Sequence, residues 1–201
     1  MKYVKKMPST NIALSKDLLN NGWTKIKEPS TIAMATLYSM PFAFLLGGIV
    51  LFITFFLNPS IFHFLQKDSL TFTLNLSMIL YILAILAFMA LHEFIHALFI
   101  PNFISSNKTF WGLNGLFGFV FSTEPIQKNR FIIISMMPCV ILSFLLPFVL
   151  NFFGLLNGYT VFLCLFNAMG SCVDFLNIIL IAFQVPKGCT IINNGFETFY
   201  K

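Results

Sequence analysis

Four long apolar stretches dominate this sequence, and they restrict its fold more than any other feature. They cover residues 31–57, 77–100, 131–153 and 159–184. Each is long enough to cross a bilayer as a helix, which takes about 20 residues. Glu93 and Asp174 are the only Asp, Glu, Lys or Arg residues within them. The pattern therefore predicts an all-α polytopic membrane protein with four transmembrane helices.

The composition supports this class of protein and argues against a soluble one. Charged residues make up 9% of the 201 residues and hydrophobic residues 58%, whereas soluble domains carry roughly 25% charge. The net charge of +5 comes from lysines scattered at the ends of the apolar stretches, without a basic stripe or an aromatic platform. We therefore expect a lipid bilayer, and no nucleic acid, among its partners. The four cysteines form no C-x-x-C pair, so we expect them to be packing residues.

Basic residues predict the orientation in the membrane. With four spans, residues 1–30, 102–130 and 185–201 lie on one side and hold eleven of the twelve Lys and Arg residues, while Lys67 lies on the other side. Because cytoplasmic loops are enriched in Lys and Arg, both termini are predicted to be cytoplasmic, with the protein in the cell membrane. The corresponding division is a cytoplasmic N-terminal segment (1–30), a four-helix membrane domain (31–186) and a cytoplasmic tail (187–201).

The connection between the second and third spans is unlike an ordinary loop. It contains glycines at positions 112, 115 and 118 and alternating phenylalanines at 117, 119 and 121. This pattern favours a hairpin or re-entrant loop, which at membrane depth must be buried against protein or line a wet cavity. Residues 70–77 also alternate between apolar and polar side chains, which is a strand-like period. We expect them to form either an extension of the second transmembrane helix or an edge strand.

The second span contains the motif His92-Glu93-Phe94-Ile95-His96. Two histidines four residues apart lie on the same face of a helix, so both imidazoles can reach one metal ion. The acid between them then lies beside the metal, where it can take a proton from water. Residue frequencies give roughly 0.001 chance matches in a chain of this length, and ionisable residues inside a membrane are functional by default. The motif predicts a zinc hydrolase with Glu93 as general base.

Asp174 is the natural candidate for a third ligand, because a catalytic zinc typically takes three protein ligands and leaves one position open. At about 1.5 Å per residue, His92, His96 and Asp174 lie roughly 14, 8 and 18 Å from the cytoplasmic ends of their helices, so the three can meet. Glu124, in the connecting segment, is an alternative third ligand. Asn167 lies two turns before Asp174, where it could bind substrate or make a contact between helices.

These residues resemble two groups of metalloproteases. An H-E-x-x-H motif followed two spans later by an Asp, itself preceded by an Asn, resembles the site-2 class of intramembrane metalloproteases. The stretches 92–99 and 167–174, with Pro138 between them, resemble more closely a bacterial family described only as putative zincin peptidases, of unknown function. The likeness covers roughly residues 90 to 180. The chain lacks the Pro before, and the Gly after, the ligand Asp that site-2 proteases commonly show.

Motif and resemblance together predict an integral membrane zinc metalloprotease that hydrolyses peptide bonds at or within the membrane. The predicted ligands of Zn²⁺ are His92, His96 and Asp174. Gly115 and Asn167 are candidates for substrate binding. The expected substrate is a membrane protein or peptide, and any substrate-selecting partner would be a separate chain. Two alternatives stay open: a non-enzymatic membrane scaffold that binds a metal or a partner helix, and a membrane hydrolase of lipidated or small peptides.

Overall fold

A computed structural model describes residues 1–6, 8–66, 77–114 and 117–201 of the chain. Its helices are α1 (Ile12–Asn20), α2 (Ile32–Leu57), α3 (Ser77–Phe99), α4 (Lys128–Cys139), α5 (Leu146–Phe152), α6 (Gly158–Gly170) and α7 (Cys172–Gln184). Its strands are β1 (Lys2–Tyr3), β2 (Thr24–Lys25), β3 (Thr109–Asn114), β4 (Phe117–Ser122), β5 (Ile126–Gln127), β6 (Thr190–Asn194) and β7 (Glu197–Tyr200). A 3₁₀ segment, Pro59–Gln66, follows α2, and a π-helical segment, Val140–Leu145, joins α4 to α5. Apart from Ser77, the predicted strand-like segment 70–77 lies outside the described residues.

Four helical segments are long and apolar enough to cross a membrane. They are Ile32–Leu57, Met78–Phe99, Lys128–Phe152 and Gly158–Gln184. With 62% of the residues helical, the structure confirms the predicted all-α polytopic membrane protein. Large apolar side chains such as Phe52, Phe56 and Phe183 are exposed on the outer faces of these helices. Lipid tails solvate such faces, so this exposure fits a bilayer and not water.

The third and fourth spans are both interrupted. Pro138 and Pro147, which lack a backbone N–H, flank the π-helical segment of the third span. In the fourth span, α6 ends and α7 begins at Ser171, whose ψ of 3° departs from helical geometry. This break places Asp174 in the first turn of α7. The N-terminal end of a helix dipole favours a carboxylate at that position.

The helices pack so that α2 contacts α6 and α7, while α3 contacts α4 and strand β4. Helix α4 also contacts α7, which brings α3 and α7 close to each other. The core between α2, the end of α4 and α6 contains Leu46, Val50, Cys139, Cys164 and Ala168. Both of these cysteines are free and buried, as packing residues would be.

The connection between the second and third spans forms a β-hairpin, as predicted. Strands β3 and β4 pair antiparallel with Trp111 opposite Val120, and β1 adds to β3 in parallel. The N–H of Val4 donates to the carbonyl of Trp111 at 2.9 Å, so the backbone groups of Trp111 face β1. Those of Val120 therefore point away from β3, toward the outer edge of β4. Among the described residues, no strand pairs with this outer edge.

The two terminal segments and the short strand β5, which precedes α4, form a second sheet, called here the terminal sheet, with strand order β2-β7-β6-β5. Ile26, next to β2, packs with Ile191 of β6 and with Ile181 and Val185 near the end of α7. Residues from both ends of the chain thus cover the end of α7, although about 170 positions separate β2 from β7.

Candidate metal centre

His92 and His96 project from one face of α3, and a hydrogen bond from Nδ1 fixes each ring. Nδ1 of His92 donates to Oδ1 of Asn167 at 2.9 Å, and Nδ1 of His96 donates to the carbonyl oxygen of Ile134 at 2.8 Å. Because Nδ1 holds the proton in both rings, each Nε2 keeps a free electron pair. Metal-binding histidines usually have this kind of partner behind them, which fixes their tautomer and orientation.

The two Nε2 atoms face each other and a carboxylate oxygen of Asp174. The two Nε2 atoms lie 3.1 Å apart. Oδ2 of Asp174 lies 3.4 Å from Nε2 of His92 and 3.5 Å from Nε2 of His96. In a tetrahedral zinc site with bonds of about 2.0–2.2 Å, neighbouring ligand atoms are roughly 3.3–3.6 Å apart. Three electron-pair donors this close repel one another unless a cation lies among them. The cluster therefore fits a zinc ion and could hold one.

Glu93 lies beside this cluster, against strand β4. A β-carbon at Gly118 would lie 3.1 Å from Cγ of Glu93, so the strand approaches this closely because Gly118 has no side chain. The backbone N–H of Val120 faces the Glu93 carboxylate. Glu93 therefore lies between the candidate metal ligands and the outer edge of β4, within reach of a molecule bound to either.

Asn167 stays a prediction as a substrate-binding residue, and the structure shows what its side chain contacts. The residue is 5% exposed, and its amide is hydrogen-bonded at both ends. Oδ1 accepts the bond from His92, and Nδ2 donates to Oγ of Ser143 at 2.8 Å. Ser143, in the π-helical segment, donates to the carbonyl oxygen of Cys164 at 2.9 Å. These bonds fit the alternative interpretation of Asn167 as a contact between helices, and they also orient His92.

Ser143 is a site residue that the sequence analysis missed. Its signal is weak, because a lone serine in a membrane helix usually bonds to a carbonyl of its own helix. Its role here comes from its hydrogen bond to Asn167, which lies on a different span. The sequence signal that could have indicated Ser143 is its polar side chain within the uncharged third span.

Glu124, the alternative third ligand, lies in a different environment. It accepts a hydrogen bond from Oγ of Ser106 at 2.9 Å and lies 3.9 Å from Nζ of Lys108. Among the described residues, the metal-binding group contains His92, His96 and Asp174 without Glu124. Gly115 lies outside the described residues, so its role in substrate binding stays a prediction.

Comparison with known families agrees with this geometry. A model of the family described as "putative zincin peptidase" matches residues 85–190, which is more than half of the chain. The chain belongs to the putative zincin peptidase family. Zincins are zinc peptidases with an H-E-x-x-H motif, so membership implies zinc. No match was found among curated proteins or among solved structures.

The region matched by the putative zincin peptidase family includes the motif on α3, the hairpin and Asp174. It ends in the terminal sheet, at β6, and excludes α1, β2 and α2. The candidate ligands therefore all lie within the shared region. The match concerns the zincin family as a whole and does not extend to the site-2 class.

Two cavities flank the metal-binding group of this putative zincin peptidase. The larger, of about 480 Å³, runs from His96 and Asp174 to the terminal sheet. The smaller, of about 180 Å³, lies beside His92 and Glu93, between side chains of α3 and α6 that include Phe88, Met89 and Phe166. Strand β4 borders both cavities, with Gly118 at the smaller one and residues 120–122 at the larger one. The strand thus passes from one cavity to the other across the candidate site.

Proposed function

We propose that this protein is an integral membrane zinc endopeptidase that cleaves peptide bonds at or within the membrane. The observation that supports this most directly is the convergence of three ligand atoms, 3.1–3.5 Å apart, beside the carboxylate of Glu93. A structural or transported metal needs no such base, whereas a hydrolase does. The position of Glu93 therefore favours the peptidase over a scaffold that only binds metal.

Each residue of the site has a proposed task. His92, His96 and Asp174 hold the zinc ion, which when bound activates water and polarises a peptide carbonyl. Glu93 takes the proton of the attacking water and passes it to the leaving amine. Asn167 and the carbonyl of Ile134 keep the two imidazoles in the tautomer that binds metal.

The outer edge of β4 is the proposed binding surface for the scissile peptide. Its outward-facing backbone groups include those of Gly118 and the carbonyl of Val120, whereas the N–H of Val120 faces Glu93; they alternate with the groups that bond to β3. An extended peptide that pairs with them by strand addition passes directly over Glu93. A transmembrane substrate must first unwind locally, because the carbonyls of a helix are already hydrogen-bonded.

The smaller cavity gives a proposed route for the substrate. Phe166 and Gly170 on α6, the first half of the fourth span, are exposed beside it. A substrate would enter laterally between α3 and α6 and reach Glu93 without leaving the bilayer. The distribution of Lys and Arg predicts that both termini are cytoplasmic, and cleavage would then take place near the cytoplasmic face.

Metal content and cleavage test this proposal separately. Detergent-purified protein should contain about one zinc ion per chain. The variants Asp174→Ala and His96→Ala should lose it, whereas Glu124→Ala, the matched control, should keep it. Zinc retained in the Asp174 variant would refute the proposed ligand set.

Cleavage is then measured in proteoliposomes with a set of synthetic transmembrane peptides, alongside short soluble peptides. Glu93→Gln should keep zinc and abolish cleavage. Cleavage that persists in Glu93→Gln would exclude Glu93 as the base. Cleavage of the soluble peptides alone would point to a membrane hydrolase of small peptides.

A further inference from the structure

The larger cavity has a distinct chemical character at the end away from the metal-binding group. Its volume of about 480 Å³ lies in the range typical of ligand pockets, about 300–1,000 Å³. Its ionisable lining residues are His96 and Asp174 at one end and Glu28 at the other, and no Lys or Arg is among them. A zinc ion at the first end would outweigh the single charge of Asp174, so Glu28 is the negatively charged group at the other end.

Glu28 precedes α2 and lies half-buried against the terminal sheet. Its Oε1 accepts a hydrogen bond from the backbone N–H of Thr198 at 2.8 Å, and the side chain of Thr198 also lies against the carboxylate. The nearby Lys25 makes its direct ion pair with Glu197, at 2.6 Å, and acts on Glu28 only from a distance. Burial raises the pKa of Glu28, and the hydrogen bonds from Thr198 and the charge of Lys25 offset this only in part. A cation in the cavity would offset the rest.

Two neutral groups at the same end can also accept hydrogen bonds. Thr198 and Asn193 line the cavity next to Glu28, and Oγ of Thr198 donates to Oδ1 of Asn193 at 3.3 Å. A carboxylate with a hydroxyl and an amide oxygen beside it matches an ammonium or guanidinium group, which has several N–H donors and no acceptor.

Strand β4 connects this end of the cavity to the reacting centre. Val120, Phe121 and Ser122 form part of its wall, and Gly118, two residues earlier than Val120, contacts Glu93. A peptide paired with the outer edge of β4 over Glu93 therefore extends into the larger cavity. One side of its scissile bond would then lie near Glu28.

We propose that the far end of the larger cavity is a specificity subsite, in which Glu28 binds a cationic group of the peptide substrate. That group is a Lys or Arg side chain or a free terminal ammonium. The inference rests on the proposed peptidase function, because it assigns part of the peptide-binding path. The enzyme would accordingly select peptides with a positive charge at a fixed distance from the cleaved bond.

Binding tests the subsite without relying on cleavage. The probes are fluorescein-labelled peptides of eleven residues, apolar and capped at both ends, with a single Lys moved along the sequence. Each has a matched peptide with norleucine in place of Lys, and a further arm carries a free N-terminal ammonium and no Lys. Dissociation constants are measured by fluorescence anisotropy with zinc-loaded Glu93→Gln protein, which cannot cleave the probes.

At one Lys position, or for the free ammonium, we expect binding about tenfold tighter than for the matched neutral peptide, as a hydrogen-bonded ion pair provides. Adding Glu28→Gln should bring the ratio of the two dissociation constants, charged against matched neutral peptide, to about one. The new amide oxygen can still accept the hydrogen bond from Thr198. Adding Glu124→Gln, which removes a carboxylate that does not line the cavity, should leave the ratio unchanged. Glu28→Lys should reverse it in favour of a Glu-containing peptide.

The outcomes separate the two proposals. Equal binding of charged and neutral peptides at every position, or a ratio that survives Glu28→Gln, would overturn the subsite. Charge-selective binding together with wild-type protein that cleaves none of these peptides would support the subsite and count against the peptidase. Cleavage without charge selectivity would support the peptidase and reject the subsite.

Discussion

Replacing Asn167 tests whether a buried amide controls metal binding. In Asn167→Ala, Nδ1 of His92 loses its acceptor at 2.9 Å, and Oγ of Ser143 loses its donor at 2.8 Å. Loss of such a partner behind a metal-binding histidine typically lowers metal affinity about 10- to 100-fold, or about 1.4–2.8 kcal/mol. The unpaired polar groups should also lower the free energy of unfolding by about 1–3 kcal/mol.

Zinc affinity is measured by competition with a chromophoric chelator, and thermal unfolding is followed in parallel. Asn167→Asp keeps an oxygen acceptor for His92 but cannot donate to Ser143, so it should restore zinc affinity without restoring stability. Ser143→Ala keeps the Asn167–His92 bond and should change zinc affinity less than Asn167→Ala does. If Asn167→Ala destabilises the protein yet binds zinc as tightly as the wild type, the amide supports the helices alone and the orientation argument fails.

Two further predictions concern the strand beside Glu93 and the carboxylates of the terminal sheet. Gly118→Ala places a β-carbon 3.1 Å from Cγ of Glu93 and should lower kcat about tenfold or more without loss of zinc. Gly48→Ala, the control, adds a β-carbon with nothing within 4 Å and should leave kcat unchanged. An unchanged kcat in Gly118→Ala would show that β4 does not constrain the base. Burial raises the pKa of Glu28, so this group contributes stability that is fully present below its unfolded pKa of about 4.5 and is lost as the pH rises through the folded pKa. The hydrogen bonds from Lys25 and Ser15 lower the pKa of Glu197, so its contribution is present above that unfolded pKa and is lost as the pH falls through the folded pKa. Melting temperatures measured from pH 4 to 8 should therefore rise for Glu28→Gln and fall for Glu197→Gln, relative to the wild type, as the pH increases; parallel curves would refute the assignment.

The membrane spans and the candidate ligands could be predicted because each depends on local pattern. An uncharged apolar run has few alternatives to a transmembrane helix, and two histidines four residues apart must share a helix face. Asp174 followed by elimination, as one of two charged residues in the spans. Its distance to the histidines depends on the break at Ser171, which the sequence marks only by the adjacent Gly170.

The terminal sheet and the contacts of Asn167 could not be predicted for the opposite reason, since both depend on residues far apart in the chain. Strand β2 has two residues and pairs with β7 across about 170 positions. Both strands are too short for an alternation of apolar and polar side chains to be recognised in the sequence. Asn167 lies on α6 and Asp174 on α7, so the assumption of one continuous helical face does not hold across the break. Which way the amide points is decided by Ser143 on another helix.

The unpaired outer edge of β4 has a consequence for how water reaches the reaction. Apart from the N–H of Val120, which faces Glu93, the outward-facing backbone groups of this edge have no strand partner among the described residues, and at membrane depth such groups require water or a peptide. In the proposed peptidase, water at this edge would also be the reactant of hydrolysis, and an arriving peptide would displace part of it. A substrate paired with the whole strand would exclude water from the site. Pairing over only the few residues nearest Glu93 would leave water at both ends of the strand for hydrolysis.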